Sequence, residues 1–127
     1  MARTPRDVTE TELKVLQALW EHGPSTVRAV AEELYERPST GQVAGVQTLL
    51  TRLEKNKGYV RRRKGESSML YEATVAKDDL IGSRLKGIAE ELCEGSMTPL
   101  LTHLVQRRQL SPDELRSLRD LIDELDS

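Results

Sequence analysis

At Gly58 the spacing of apolar residues changes from helical to alternating. Upstream, three short stretches repeat their apolar positions every three or four residues; downstream, residues 59–74 alternate with a period of two around a Gly-Glu-Ser tip. Few small folds place a basic hairpin directly after three short helices. The order suggests a winged helix-turn-helix.

Each stretch carries its own start and stop signals. Thr9 and Glu12 have the spacing of a capping box, and Leu13, Leu16, Leu19 and Trp20 form the stripe that follows. Gly23 and Pro24 end that helix. Ser25 or Thr26 can cap a second helix, with Val27, Val30, Ala31, Leu34 and Tyr35 on its apolar side, and residues 37–41 break it. The third helix is expected from about Gln42 to Lys55, with Val43, Val46, Leu49, Leu50 and Leu53 on one face. Its opposite face carries Ala44, Gly45, Thr48, Thr51, Arg52 and Lys55. Such a surface of small side chains, hydroxyls and a guanidinium can approach a partner closely and hydrogen-bond to it.

From Lys77 onward the pattern is helical again. Leu80, Ile81, Leu85, Ile88 and Leu92 make a seam, Glu94-Gly95-Ser96 interrupts it, and Met97, Leu100, Leu101, Leu104 and Val105 mark a short helix. Ser111-Pro112-Asp113-Glu114 opens a last one with the stripe Leu115, Leu118, Leu121, Ile122 and Leu125. The expected architecture is mainly α with a small β-hairpin: an N-terminal winged helix-turn-helix over residues 1–75 and a C-terminal three-helix dimerisation region over residues 76–127. Three amphipathic helices of that size bury too little apolar surface to be stable alone, so a second copy is expected to complete their core. The expected dimer contacts are Leu80, Ile81, Leu85, Ile88, Leu92, Leu115, Leu118, Ile122 and Leu125, with Gly82 and Gly87 permitting close helix packing.

The net charge of −2 conceals a strong local imbalance, since residues 52–64 hold seven Lys and Arg against the single carboxylate of Glu54. A patch of that kind suits a polyanion. In a helix-turn-helix the second helix of the motif enters the major groove, which makes Thr48, Thr51 and Arg52 the candidates for base edges, flanked by Ala44, Gly45 and Lys55. Arg61, Arg62, Arg63 and Lys64 are expected to contact phosphates or the minor groove, positioning the protein without specifying sequence.

Other chemistry finds little support. His22 and His103 are the only histidines and neither has metal-ligand spacing, while the carboxylates of the last helix are interspersed with Arg116 and Arg119. No nucleophile elbow or phosphate loop is present, so no enzyme activity, metal or cofactor is expected. Cys93 is the sole cysteine, which excludes an internal disulfide. The chain has no apolar run of membrane-spanning length and no apolar signal core near its start, so a cytoplasmic location is expected.

Four stretches carry a resemblance: VTETELKVLQALWEHGPSTVRAVAEELY, VQTLLTRLEKNKGYVRRRK, LYEATVAKDDLIGSRL and GSMTPLLTHLVQRRQLSPDELRSLRDLIDEL. Together, in this order, they resemble the BlaI/MecI (penicillinase repressor) family of winged-helix repressors. The resemblance implies a homodimer that binds a palindromic operator and represses genes for beta-lactam resistance or neighbouring functions. It also implies derepression by a membrane-bound sensor protease, with the corresponding cleavage site near His103 and Leu104.

The chain departs from the family pattern in three places. Gly45 stands where members often carry Thr, and Ala44 replaces a frequent larger side chain, so the operator read here is expected to differ. Residues 53–58 are one residue longer than the usual spacing before the wing. The copper-responsive branch uses a C-terminal cysteine cluster, which Cys93 alone cannot reproduce. Two alternatives stand beside a protease-controlled repressor. One is a winged-helix sensor with a small ligand near Tyr71, Trp20 or His103, and the other is a helical interaction module whose hairpin binds an acidic protein.

Overall fold

The computed structural model describes residues 8–126, and the chain divides into two compact units, one running to Arg84 and the other starting at Leu85. The division falls inside a helix. Helices α1 (Glu10–His22), α2 (Val27–Leu34) and α3 (Thr40–Arg52) precede a π turn at Leu53–Lys57 and the strands β1 (Val60–Lys64) and β2 (Met69–Ala73). Helices α4 (Lys77–Leu92), α5 (Thr98–Gln106) and α6 (Pro112–Asp126) follow.

Local capping chemistry sets the starts of α1, α2, α3 and α6. The Thr9 hydroxyl accepts from the Glu12 amide (3.1 Å) while the Glu12 carboxylate accepts from the Thr9 amide (2.8 Å). Thr26 caps α2 by accepting from the Ala29 amide. A second box, Ser39 with Gln42, starts α3 at Thr40, two residues before the expected Gln42. The third, Ser111 with Glu114, opens α6 as its sequence indicates, and the Ser111 amide holds the Glu114 carboxyl below the usual range.

The core of the first unit gathers Val15, Leu16 and Leu19 from α1, Val30 and Ala31 from α2, and Val46 and Leu50 from α3. Leu53, Tyr59, Val60 and Tyr71 close it from the π turn and the hairpin. The strands pair antiparallel with Arg62 opposite Tyr71, and the Ser25 backbone adds a short third rung by bonding both ways to Tyr71 (2.9 and 2.8 Å). Trp20 Nε1 donates to the Val75 carbonyl (2.8 Å), which ties α1 to the exit of the hairpin.

Two further sequence expectations change here. The third helix stops at Arg52 rather than Lys55, because the chain passes there into the π turn, whose wider ring encloses one residue more than an α turn. Leu80, assigned from its spacing to the dimer seam, instead packs into the core of the first unit at 4% exposure. The spacing is correct for α4, but the helix begins against the winged-helix core.

In the second unit only Ala89 is buried among the described residues. Leu85, Ile88 and Leu92 on α4, Leu101 and Val105 on α5, and Leu115, Leu121, Ile122 and Leu125 on α6 are all exposed, with Leu118 half-buried. That amount of exposed aliphatic surface is unusual for a stable monomer.

One ion pair fastens the two ends of the helical core. Glu12 is buried, and its Oε1 accepts both the Thr9 amide and Lys57 Nζ (2.8 Å), so the start of α1 is bound to the π turn that ends α3. Burial alone would raise the Glu12 pKa; Lys57 and the Thr9 amide outweigh it and hold the carboxyl below its ordinary range. The pair therefore stabilises the fold fully above the ordinary glutamate range, and that contribution is lost as pH falls through the lowered value. Replacing Lys57 by Met should cost about 3 kcal/mol at neutral pH, read by urea unfolding, because it leaves a buried carboxylate unpaired. The stability gap between wild type and Glu12→Gln should shrink on acidification, whereas a gap independent of pH would remove the carboxylate from this role.

Candidate nucleic-acid interface

α3 buries Val46 and Leu50, and the helical period then turns Ala44, Gly45, Thr48 and Arg52 outward, with Lys55 exposed in the π turn and Thr51 half-buried. Gln47, Thr48, Thr51, Arg52, Lys55 and Asn56 line an open groove along this side. The Thr48 hydroxyl donates to the Ala44 carbonyl (3.1 Å), leaving its oxygen lone pairs and methyl group for an outside partner. Gly45 lies in the interior of the helix, and a Cβ built on it would meet nothing within 4 Å. No packing among the described residues requires a glycine there.

Gln47 is absent from the residues that sequence reasoning selects, yet it joins the helix to the wing. Its Nε2 donates to the Tyr71 hydroxyl (2.8 Å) and to Thr51 Oγ1 (3.3 Å). A glutamine between the apolar and polar faces gives no periodic signal, and its partner lies 24 residues away. Only Tyr71, at an inward position of the second strand, could have pointed to it.

The hairpin presents its cations on both faces. Arg61 and Arg63 lie on one side, where both reach Glu72, and Arg62 lies on the other. Arg62 pairs with Glu54 (3.0 Å), and its guanidinium stands 5.8 Å from the centre of the Tyr71 ring. Sequence proximity alone would also allow Glu54 to pair with Arg52. With Glu54 engaged at the wing, Arg52, Lys55 and Lys64 make no ion pair among the described residues. The hydrogen bond from Arg61, opposed by partial burial and reinforced by Arg63, holds the Glu72 carboxyl below its usual range. At the tip, a Cβ on Gly65 would fall 2.7 Å from the Ser68 carbonyl, so the turn closes only on glycine.

Residues named for other roles fall elsewhere. Trp20 and Tyr71 have their polar atoms engaged inside the first unit. His103 is exposed and Leu104 half-buried, both within α5. His22 Nε2 pairs with Glu33 (2.8 Å) across α1 and α2, and Glu21 lies beside them, all three exposed. Among the described residues, no helix is long and apolar enough to cross a membrane.

A family model described as penicillinase repressor matches residues 8–124. The chain is 24% identical to the methicillin resistance regulatory protein MecI of Staphylococcus aureus (strain N315) over 116 residues, which covers 91% of this chain and 93% of that protein. The protein of the same name from Mammaliicoccus sciuri matches with the same identity and coverage. Among solved structures, the monomeric form of Bacillus licheniformis BlaI in complex with the blaP half-operator aligns with a TM-score of 0.48 at 28% identity, over 62% of this chain and 93% of that one. A MarR family protein from Bacillus stearothermophilus aligns with a TM-score of 0.49 at 22% identity, over 96% of this chain and 78% of that one.

Since its surroundings are open, Gly45→Ala should raise stability by about 0.5–1 kcal/mol in urea unfolding, the ordinary gain from removing a helix-interior glycine. A loss of stability would reveal a neighbour that needs the space.

Proposed function

The chain belongs to the penicillinase repressor family, and from that premise we propose that it is a sequence-specific DNA-binding repressor acting as a homodimer on a palindromic operator. The observation that carries the reading is the exposed, small and polar face of α3 with the arginine-bearing hairpin fastened beside it through Gln47 and Tyr71. In this reading α3 enters the major groove, with Thr48, Thr51 and Arg52 at base edges and Ala44 and Gly45 allowing close approach. Arg61, Arg63 and Lys64 engage phosphates, and Arg62 adds to the same basic surface.

The helical region supplies the two-fold interface through Ile81, Leu85, Ile88, Leu92, Leu115, Leu118, Ile122 and Leu125. What supports this is the exposed apolar surface of the second unit, which a second copy would cover. The names of the relatives favour genes of beta-lactam resistance as targets, and a cytoplasmic location goes with the repressor reading. Control by a membrane-bound sensor protease that cuts near His103 and Leu104 completes the reading. That bond lies inside α5, so cleavage there requires the helix to unwind locally.

Selection of bound duplexes from a random pool should return an inverted repeat with half-sites about one helical turn apart, or a multiple of it. Recovery of no preferred sequence would defeat the proposal. With that operator in hand, Thr48→Ala or Arg52→Ala should reduce discrimination between the right and the wrong base by roughly 1–3 kcal/mol at the position each side chain reads. Uniform weakening on every duplex would reassign these residues to the backbone.

Ile122→Asp should convert a micromolar dimer to monomer in analytical ultracentrifugation while leaving the thermal transition of the first unit in place. A dimer that survives the substitution would move the interface away from α6.

A further inference from the structure

The sequence credits the wing with an almost uncompensated run of cations, but the fold brings two carboxylates to it. Arg61 Nε donates to Glu72 Oε1 (2.5 Å), Arg63 Nη1 donates to Glu72 Oε2 (3.5 Å), and Arg62 Nε donates to Glu54 Oε1 (3.0 Å). In every pair the acid is the more enclosed partner: the side chains of Glu72 and Glu54 are 16% and 23% exposed, against 70%, 59% and 43% for Arg61, Arg63 and Arg62. The guanidiniums therefore lie over the acids and face outward. A guanidinium has five N–H donors in a fixed fork, so one committed to a carboxylate keeps others for a second anion.

We infer that Glu72, seconded by Glu54, is a built-in counterion that limits the attraction of the wing for polyanions and so leaves more of the total DNA affinity to the sequence-reading face of α3. This rests on the reading of the hairpin as a phosphate-contacting wing. The physical basis is counterion release: sequence-independent affinity grows with each phosphate charge that the protein neutralises. Three guanidiniums sharing two carboxylates present one net positive charge rather than three. The arginines can still meet phosphates through their remaining donors, while the ions they displace are fewer.

Glu72→Gln keeps the shape and an acceptor for Arg61 while removing the charge. It should bind a short mixed-sequence duplex more tightly, with the slope of log affinity against log salt steeper by up to about 0.9 over roughly 50–200 mM. It should also elute from immobilised heparin at higher salt than wild type. The double variant Glu72→Gln with Arg61→Gln restores the net charge of the cluster and should return the slope to the wild-type value. If Glu72→Gln does not fold, Glu54→Gln carries the same test through Arg62 with the same expected direction. An unchanged slope and unchanged heparin elution, or weaker binding with a flatter slope, would overturn the inference. The heparin comparison needs no bases, so it decides the counterion role even if the random-pool selection returns no operator and the DNA reading fails.

Discussion

A single carboxylate oxygen holds the first unit together at its most demanding point. Glu12 Oε1 receives the amide that begins α1 and the ammonium of Lys57 in the π turn, while Oε2 is buried with no hydrogen-bond partner among the described residues. A buried acid in that state is tolerable only while its cation stays in place. Everything downstream inherits the constraint: Lys57 fixes the π turn, Gly58 takes a left-handed conformation (φ 71°), and the chain enters β1 from there. The Gln47 to Tyr71 bond and the Arg62 to Glu54 pair then fix the hairpin against α3. Helix and wing thus form one continuous surface, held by polar contacts at the edge of an aliphatic core.

On that surface the two halves differ in chemistry. The outward side of α3 is nearly free of long side chains until Arg52, so a partner can come close to its backbone. The wing has long side chains, four of them cationic, with two acids beneath its three arginines. Short groups that must fit and long groups that are already oriented suit separate tasks, one demanding shape and the other placement.

Much of this is legible in the sequence because it is local. Capping boxes, stripes at the 3.6-residue period and the switch to alternation all depend on neighbours within a turn or a strand, which is why α1, α2, the hairpin and α6 begin near where their residues indicate. The Ser39 and Gln42 box is equally local, but the Pro38-to-Gly41 run around it has the composition of a breaker, which puts the expected start of α3 too late. What is not legible depends on tertiary proximity. Glu72 is 11 residues from Arg61, and only the register across the hairpin brings them together. Leu80 has the spacing of its seam neighbours, and only the placement of the first turn of α4 against the core separates it from them.

The π turn at Leu53–Lys57 has a consequence for how α3 is joined to the hairpin. An insertion in a straight helix rotates every later side chain by about 100°, which would turn an apolar stripe away from its core. Here the additional residue of a π turn is confined to one wide ring, with the Gly58 and Tyr59 amides both returning to the Leu53 carbonyl. Leu53 stays buried, and the hairpin leaves from a glycine that accepts the altered exit angle. The junction between α3 and the hairpin thus holds one residue more than an α turn without disturbing the hydrophobic pattern on either side.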